Sequence, residues 1–492
     1  MNRLRMKMLK GTTALACALI LGLTGCSSAQ PEPEKKEPVN VTVWHYYNGM
    51  QKETFDSMVE EFNENVGKEN GIHVEAVSKG TIKQLVSAVR DSLAGKVGAE
   101  NLPSLLAAYS DMAYEVEQAG KAADLAQLFT AEELSEYMDS YIEEGQFSND
   151  QELKLFPIAK STELFAVNWT DWEPFAQETG AAEDDFATWE GITRLSEAYY
   201  NWTDARTETP NDGKAFFGRD AFANYIIIGS LQLGHEITKV ENGKVTLDFD
   251  KATMRRLWDN YYVPYVNGYF AAYGKFRSDD VKTGDLLAFV GSNSGVTYLP
   301  STVTYEDGSS HEIESRIYPL PNFEGTSPCA VQQGAGILML SGSEEQEEAA
   351  ATFLKWFTDV HQNLEFAINS GYLPVKKAAN DWAIVDKELQ DHGSHYQVTD
   401  LMKTSLESGI DIVNNYRLYT AKPFAGGAEV RNILDTTMNQ KAQDDRKAAV
   451  ELMAGGISRE EAVSHFDTDE NFDEWYEDTR KQLESVGEKY GW

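Results

Sequence analysis

Trp44, Tyr46, Tyr47 and Asn48 fall within one short stretch near the front of the folded chain. Aromatic rings offer flat faces to the C–H side of a sugar ring, and a planar amide both donates to and accepts from hydroxyls. The stretch follows Val39, Val41 and Val43, whose alternation with polar residues predicts a strand. It therefore stands at a strand's C-terminal end, where open α/β sheets take ligands. Tyr109, Ser110 and Asp111 end a later predicted strand in the same way. Tyr46 and Tyr47 suit a core position equally well, since aromatic side chains dominate cores.

Signals for catalysis are weak. Gly291-Ser292-Asn293-Ser294-Gly295 places its serines at the second and fourth positions and so does not match GxSxG. No P-loop or GxGxxG is present, and no cofactor site is expected. His392 and His395 are spaced to share a helix face, but no third metal ligand is evident nearby in sequence. Asp467, Asp469, Asn471 and Asp473 imitate the start of a calcium loop, yet Phe472 stands where Gly is needed and Asp478 replaces the closing Glu. No metal is expected.

The elements that must position these residues come in a regular order. A helix follows the aromatic stretch, with Phe55, Met58, Val59 and Phe62 on one face. A strand from Ile72 to Val77 is next, then a helix carrying Ile82, Leu85, Val86, Val89 and Leu93, then a strand from Pro103 to Tyr109. This β-α-β-α-β order predicts an α/β fold with a mostly parallel sheet. The middle is less regular. Apolar runs at 216–233 and 286–290 suggest a second α/β lobe. Later, Gly336 to Leu340 reads as a buried strand, and Ser343 with Gln346 forms a capping box for the next helix. A further helix ends at Ser370-Gly371, where Gly suits the left-handed position. The stretch from about Glu429 reads as helices with an acidic surface.

The N-terminus has its own chemistry. Arg3, Arg5, Lys7 and Lys10 precede an apolar run from Gly11 to Gly22, too short for a permanent span. Leu23-Thr24-Gly25-Cys26 closes it and resembles the bacterial lipobox. The resemblance implies cleavage after residue 25 and lipidation of Cys26 on sulfur. Residues 27–38, with three prolines and no large apolar side chain, read as a tether. The formal net charge is −36, and loss of the four leader cations would make it −40. Such a chain repels nucleic acid and anionic lipid, so the lipid is expected to be its sole membrane attachment. Cys329 is then left alone, which excludes a disulfide framework within one chain.

Four stretches together resemble the family 1 extracellular solute-binding proteins of bacterial ABC importers: Val41 to His45, Lys79 to Leu85, Gly334 to Leu340, and Ser370 to Val375. The resemblance implies a two-lobed, periplasmic-binding-protein-like α/β fold (class II), with lobes joined by crossing strands around a ligand cleft. The expected order is a signal over 1–25, lipidated Cys and tether over 26–38, lobe one over 39–157, and lobe two over 158–332. Lobe one resumes over 333–378, and C-terminal helices, mainly of lobe two, fill 379–492. Regions near 201–219 and after 441 read as insertions. The implied cleft adds Ser161 and Thr162 after the crossing, Gln333, Gly334, Tyr372, and Arg431 after Phe424-Ala425-Gly426-Gly427.

The function implied is capture of a carbohydrate, a sugar or oligosaccharide, by a lipid-anchored monomer on the outer face of the membrane. Delivery to permease subunits follows, without chemistry and without nucleic acid. The opening Trp-His and the Lys-Gly-x-x-x-Gln turn are most similar to glycerol-3-phosphate and related sugar binders, which often carry a carboxylate where Asn48 stands. Abundant aromatics favour the uncharged sugar over the phosphorylated polyol. A surface glycosidase, with paired carboxylates across a cleft, is the competing class. A signalling subunit that senses without transport is a third.

Overall fold

Valine alternation does produce the strand Val39–His45, with Val41 and Val43 fully buried. The computed structural model describes residues 37–148, 151–241, 243–393, 396 and 398–492, so the leader, Cys26, the tether up to residue 36 and His395 lie outside the described residues. Pro38–Trp492 forms one compact unit. Val39–His45 lies second in a five-stranded sheet. It pairs in parallel with Ile72–Ser78 on one side and Leu105–Ala108 on the other. Parallel neighbours need crossover connections. Gly49–Phe62 and Ile82–Leu93 are in those crossovers, the first burying Phe55, Met58, Val59 and Phe62. Gly336–Met339 enters the same sheet antiparallel, between Leu105–Ala108 and Leu155–Phe156. All four of its residues are buried, as its unbroken apolar character predicts. Ser343 and Gln346 form the expected capping box on Glu344–Phe357, and Gly371 ends Val360–Ser370 at φ 77°.

A second sheet has the order Ser315–Pro319, Glu163–Asn168, Leu286–Ser292, Ala215–Arg219. The apolar stretch at 216–233 divides into a strand and the helix Phe222–Gln232, separated by Ala221 at φ 46°. Periodicity alone does not separate a buried strand from a buried helix. Two hydrophobic cores result. One gathers residues of 41–159 with 337–413, and the other gathers 164–331 with 412–486. Val385, Leu406 and Ile410 belong to the first core. The long helices Gly427–Ala454 and Asp469–Tyr490 bury Val430, Leu434, Phe472 and Trp475 in the second. In the calcium-like stretch, Thr468 caps a helix, Asp469 pairs with Arg255 and Asp473 with Lys251. No helix among the described residues is long and apolar enough to cross a membrane.

Candidate ligand-binding cleft

The chain passes between the two cores at a short set of backbone pairs. Lys160 exchanges backbone hydrogen bonds with Leu373, and Ser161 does so with Gln333 at 2.8 and 2.9 Å. Cys329–Val331 runs parallel to Arg417–Tyr419, and the Gln332 N–H donates to the Tyr419 carbonyl at 2.7 Å. Gly334 sits here at φ 95°, where a Cβ would lie 3.1 Å from the Ala159 carbonyl oxygen and 3.2 Å from the Lys160 Cα. Only glycine meets both demands without forcing the segments apart.

Most polar groups at the crossing are paired internally, although Gln332 Oε1 is buried without a hydrogen-bond partner. Lys160 Nζ donates to Glu144 Oε2 at 2.5 Å and to the Gly334 carbonyl at 2.9 Å, and Gln332 Nε2 donates to the same Glu144 oxygen at 2.6 Å. Both charged side chains are at most 5% exposed. Thr162 Oγ1 donates to the Val331 carbonyl, and its N–H donates to Asn293 Oδ1, each at 2.8 Å. A second buried pair, Glu163 with Arg219 at 2.8 Å, continues the network. Asn224 donates to Glu163 at 2.7 Å, and its carbonyl oxygen accepts from Arg431 at 2.8 Å. Arg431 is exposed, so this chain of contacts runs from buried charge to surface.

A cavity of about 440 Å³ opens beside the crossing. Tyr109, Ser110, Asp111 and Glu144 line it from one side, Asn224, Glu236 and Arg431 from the other, and Val331, Gln332 and Gln333 from the crossing. The loop Tyr419 to Phe424 supplies two more aromatics and Lys422, while Ile228, Leu231 and Leu434 make an apolar surface. Three helices start here: Ser110–Gln118, Phe222–Gln232 and Gly427–Ala454. Their N-cap residues are Tyr109, Ala221 and Gly426, and none supplies a side-chain cap. Some helices elsewhere are capped, by Thr81, Thr130, Thr188 and Ser343, while Gly49–Phe62, Asp139–Gly145 and Tyr262–Asn267 also start without a side-chain cap. First-turn N–H groups have no intrahelical acceptor, and the helix dipole makes them favour oxygen and negative charge. Several of these groups are taken within the protein: the Ala223 N–H by Asp435, the Met112 N–H by Asp111 Oδ1, the Asn224 N–H by the Ala221 carbonyl and the Gly427 N–H by the Phe424 carbonyl. The rest of this arrangement suits a ligand rich in oxygen.

The sequence-derived residues separate accordingly. Tyr109, Ser110, Asp111, Gln333 and Arg431 line the cavity together. Ser161, Thr162 and Gly334 are buried in the crossing and shape it without facing the cavity. Trp44 and Tyr47 are core residues, each 2% exposed. Lys79 Nζ covers the Trp44 ring at 3.8 Å, and Tyr47 packs on Phe55, Phe366 and Tyr372. Tyr372 is buried and stacks on Phe366. Asn48 is exposed before Gly49–Phe62 and is not among the cavity residues. Tyr46 also lies outside the lining, its ring stacked on Tyr109 at 6.2 Å. Burial, then Tyr372 and Tyr47, raises its phenol well above the ordinary value. Tyr46 and burial likewise raise the Tyr109 phenol, with Arg431 pulling against them, so both stay neutral at physiological pH. Of the sequence-derived aromatics, the one that faces the cavity is therefore Tyr109, 39% exposed, with Tyr46 as its support.

Sequence reasoning missed Glu144, Asn224, Glu236, Tyr419, Lys422 and Phe424. Asn224 left a trace, being an amide inside an otherwise apolar helix that buries it to 1%. Glu144 is one carboxylate among 79 acidic residues and left none.

Solved structures with the same architecture are binding proteins. A cyclic α-maltosyl-1,6-maltose binding protein from Arthrobacter globiformis aligns with TM-score 0.62 at 17% identity, covering 90% of this chain and 99% of that one. UgpB from Mycobacterium tuberculosis, in complex with glycerophosphocholine, gives 0.64 at 17% identity over 92% and 99%. The GacH receptor of Streptomyces glaucescens, solved with acarbose, gives 0.61 at 13% over 91% and 99%. At these identities the likeness establishes the two-lobed α/β fold. Comparison with curated protein sequences finds no match. The family model for bacterial extracellular solute-binding proteins matches residues 57–395, well over half the chain, and this protein belongs to that family.

Proposed function

We propose that this protein captures a carbohydrate, a sugar or oligosaccharide, and delivers it to the permease of an ABC importer. The observation that carries this is the cavity between the cores. It combines the Tyr109 face with Tyr419 and Phe424, and it sets hydroxyl-binding groups around them: Asn224, Gln333, Arg431 and three helix starts without side-chain caps. Ligand touching walls from both cores would favour a closed state through contacts that the open state lacks. Membership in an extracellular family places the work outside the cytoplasm. In our reading Cys26 carries the lipid, the tether holds a monomeric binding unit off the membrane, and the protein performs no reaction. Two cavity carboxylates are already engaged, Glu144 by Lys160 and Gln332, and Glu236 by the Tyr419 hydroxyl at 3.0 Å.

A phosphorylated polyol or its diester is the second reading. Arg431, Lys422 and the helix starts would all suit a phosphate. Calorimetry with malto-oligosaccharides, cyclic glucans, glycerol-3-phosphate and glycerophosphocholine separates the two. Saturable sugar binding that changes little with salt supports the proposal. Tight phosphate-ester binding weakened by salt installs the second reading, and cleaved oligosaccharide would point to a glycosidase. Membrane fractionation of Cys26→Ala tests the anchor, with release into the soluble fraction expected.

A further inference from the structure

The helix Trp382–His392 presents Glu388 and His392 one turn apart, on a single face. His361 reaches them from the first turn of the neighbouring helix Val360–Ser370. Both imidazoles direct Nδ1 at the same oxygen, Glu388 Oε1, each at 2.9 Å, with ring centroids 5.0 Å apart. The three ligand atoms lie within 4.8 Å of one another. Tyr396 donates its hydroxyl to Glu388 Oε1 at 2.6 Å and so fixes the carboxylate. Glu388 is 12% exposed and the histidines are 47% and 42% exposed, with His392 Nδ1 itself turned inward, so an ion would enter from the His361 side.

We propose that His361, Glu388 and His392 form a binding site for a divalent transition cation, with zinc the best match. Two imidazoles and one carboxylate, with a water completing the set, are an ordinary zinc environment. Ligands at about 2.0–2.1 Å around a tetrahedral ion stand roughly 3.3 Å apart, so the two 2.9 Å histidine–carboxylate spacings need to open by a few tenths of an ångström, and the two histidine ligand nitrogens, which lie within 4.8 Å of each other, need to settle at the same separation. The ion takes the Nδ1 lone pairs, and each ring proton then resides on Nε2. Tyr396 keeps its bond to the carboxylate and acts as a positioning residue. None of these residues lines the cleft. The ion would clasp two helices of the first core and raise stability by mass action.

The test uses the full chain, stripped with chelator and titrated with zinc chloride alone. One equivalent is expected to bind with a saturable rise in Tm, and the His361→Gln and His392→Gln variants are expected to lose at least about tenfold in affinity. Tyr396→Phe should lose about tenfold or less. Within the unaltered protein, zinc should protect His361 and His392 from diethylpyrocarbonate, and cobalt should give the absorption of a tetrahedral site. Absence of binding below millimolar zinc, binding retained by the His361→Gln/His392→Gln double variant, or unprotected histidines would each overturn the proposal. Sugar binding plays no part in any of these readouts.

Discussion

The crossing and the cavity wall lie side by side and use the same residue types in opposite ways. At the crossing, Lys160 and Gln332 are buried and bonded to Glu144, and Arg219 is buried and bonded to Glu163. At the wall, Tyr109 and Arg431 are exposed, and three helices begin without a side-chain cap. Burial without a partner is costly, so most polar groups inside the protein are paired, with Gln332 Oε1 and His45 Nε2 among the exceptions. Hydrogen-bonding capacity left over at a cavity is what a ligand can use. Asn224 joins the two regimes, with one face on Glu163 and the other on Arg431.

The contrast breaks most sharply at Lys160. Lys160→Met would strand the Glu144 charge, with an expected cost of about 3–5 kcal/mol in denaturant unfolding. Adding Glu144→Gln should recover much of it. A single variant as stable as the parent would mean that Glu144 does not depend on Lys160.

His45 offers a pH test of the cost of burial inside the first core, where its Nε2 has no hydrogen-bond partner. It is fully buried, its Nδ1 accepts from the Tyr47 N–H at 3.2 Å, and burial lowers its pKa to about 4, with Asp56 opposing and Lys52 assisting. Its unfolded pKa is near 6.5, so below that pH the unfolded chain gains a proton that the native state refuses. The associated stability is complete above pH 6.5 and is lost as pH falls toward 4, by up to about 3 kcal/mol. His45→Asn should flatten this part of the stability profile. An unchanged slope would assign the acid sensitivity to other groups.

On the wall the expectation reverses, with function moving and stability staying. Tyr109→Ala should weaken ligand binding by about 1–3 kcal/mol while unfolding changes little. Arg431→Ala should cost less, about 1 kcal/mol for a neutral sugar, with similar affinity at low and high salt. Calorimetry across a salt series checks both. A larger loss for Arg431→Ala than for Tyr109→Ala would move the weight of recognition from ring stacking to charge.

Local patterns were legible because their causes are local. The spacing of Phe55, Met58, Val59 and Phe62 names a buried helix face. Ser343 with Gln346 names a helix start, and Gly371 a helix end. The two lobes and the crossing near Gln333 were expected from family resemblance added to these signals, whereas the strand order within each sheet was not read from the sequence. Tyr109, Ser110 and Asp111 were legible as a strand end, and they do line the cavity. Trp44 and Tyr47 carried the same signal as Tyr109, yet they are buried, because Lys79 covers the Trp44 ring and Phe55, Phe366 and Tyr372 close over Tyr47, contacts that come from distant elements.

The sequence by itself determined the helices and their caps, the α/β class, the acidic charge and the chemical types available for a site. All of these depend on neighbours within a few residues or on composition. Only the tertiary structure decided which side chains share a space. It brought the starts of three distant helices to one cavity, set Glu144 against Lys160, and placed His361 beside Glu388 and His392. The last case shows the reason plainly. Glu388 and His392 are one helical turn apart and readable as a pair, but the third ligand comes from another helix. Its approach is set by how Val360–Ser370 packs on the first core, and no local spacing encodes that contact.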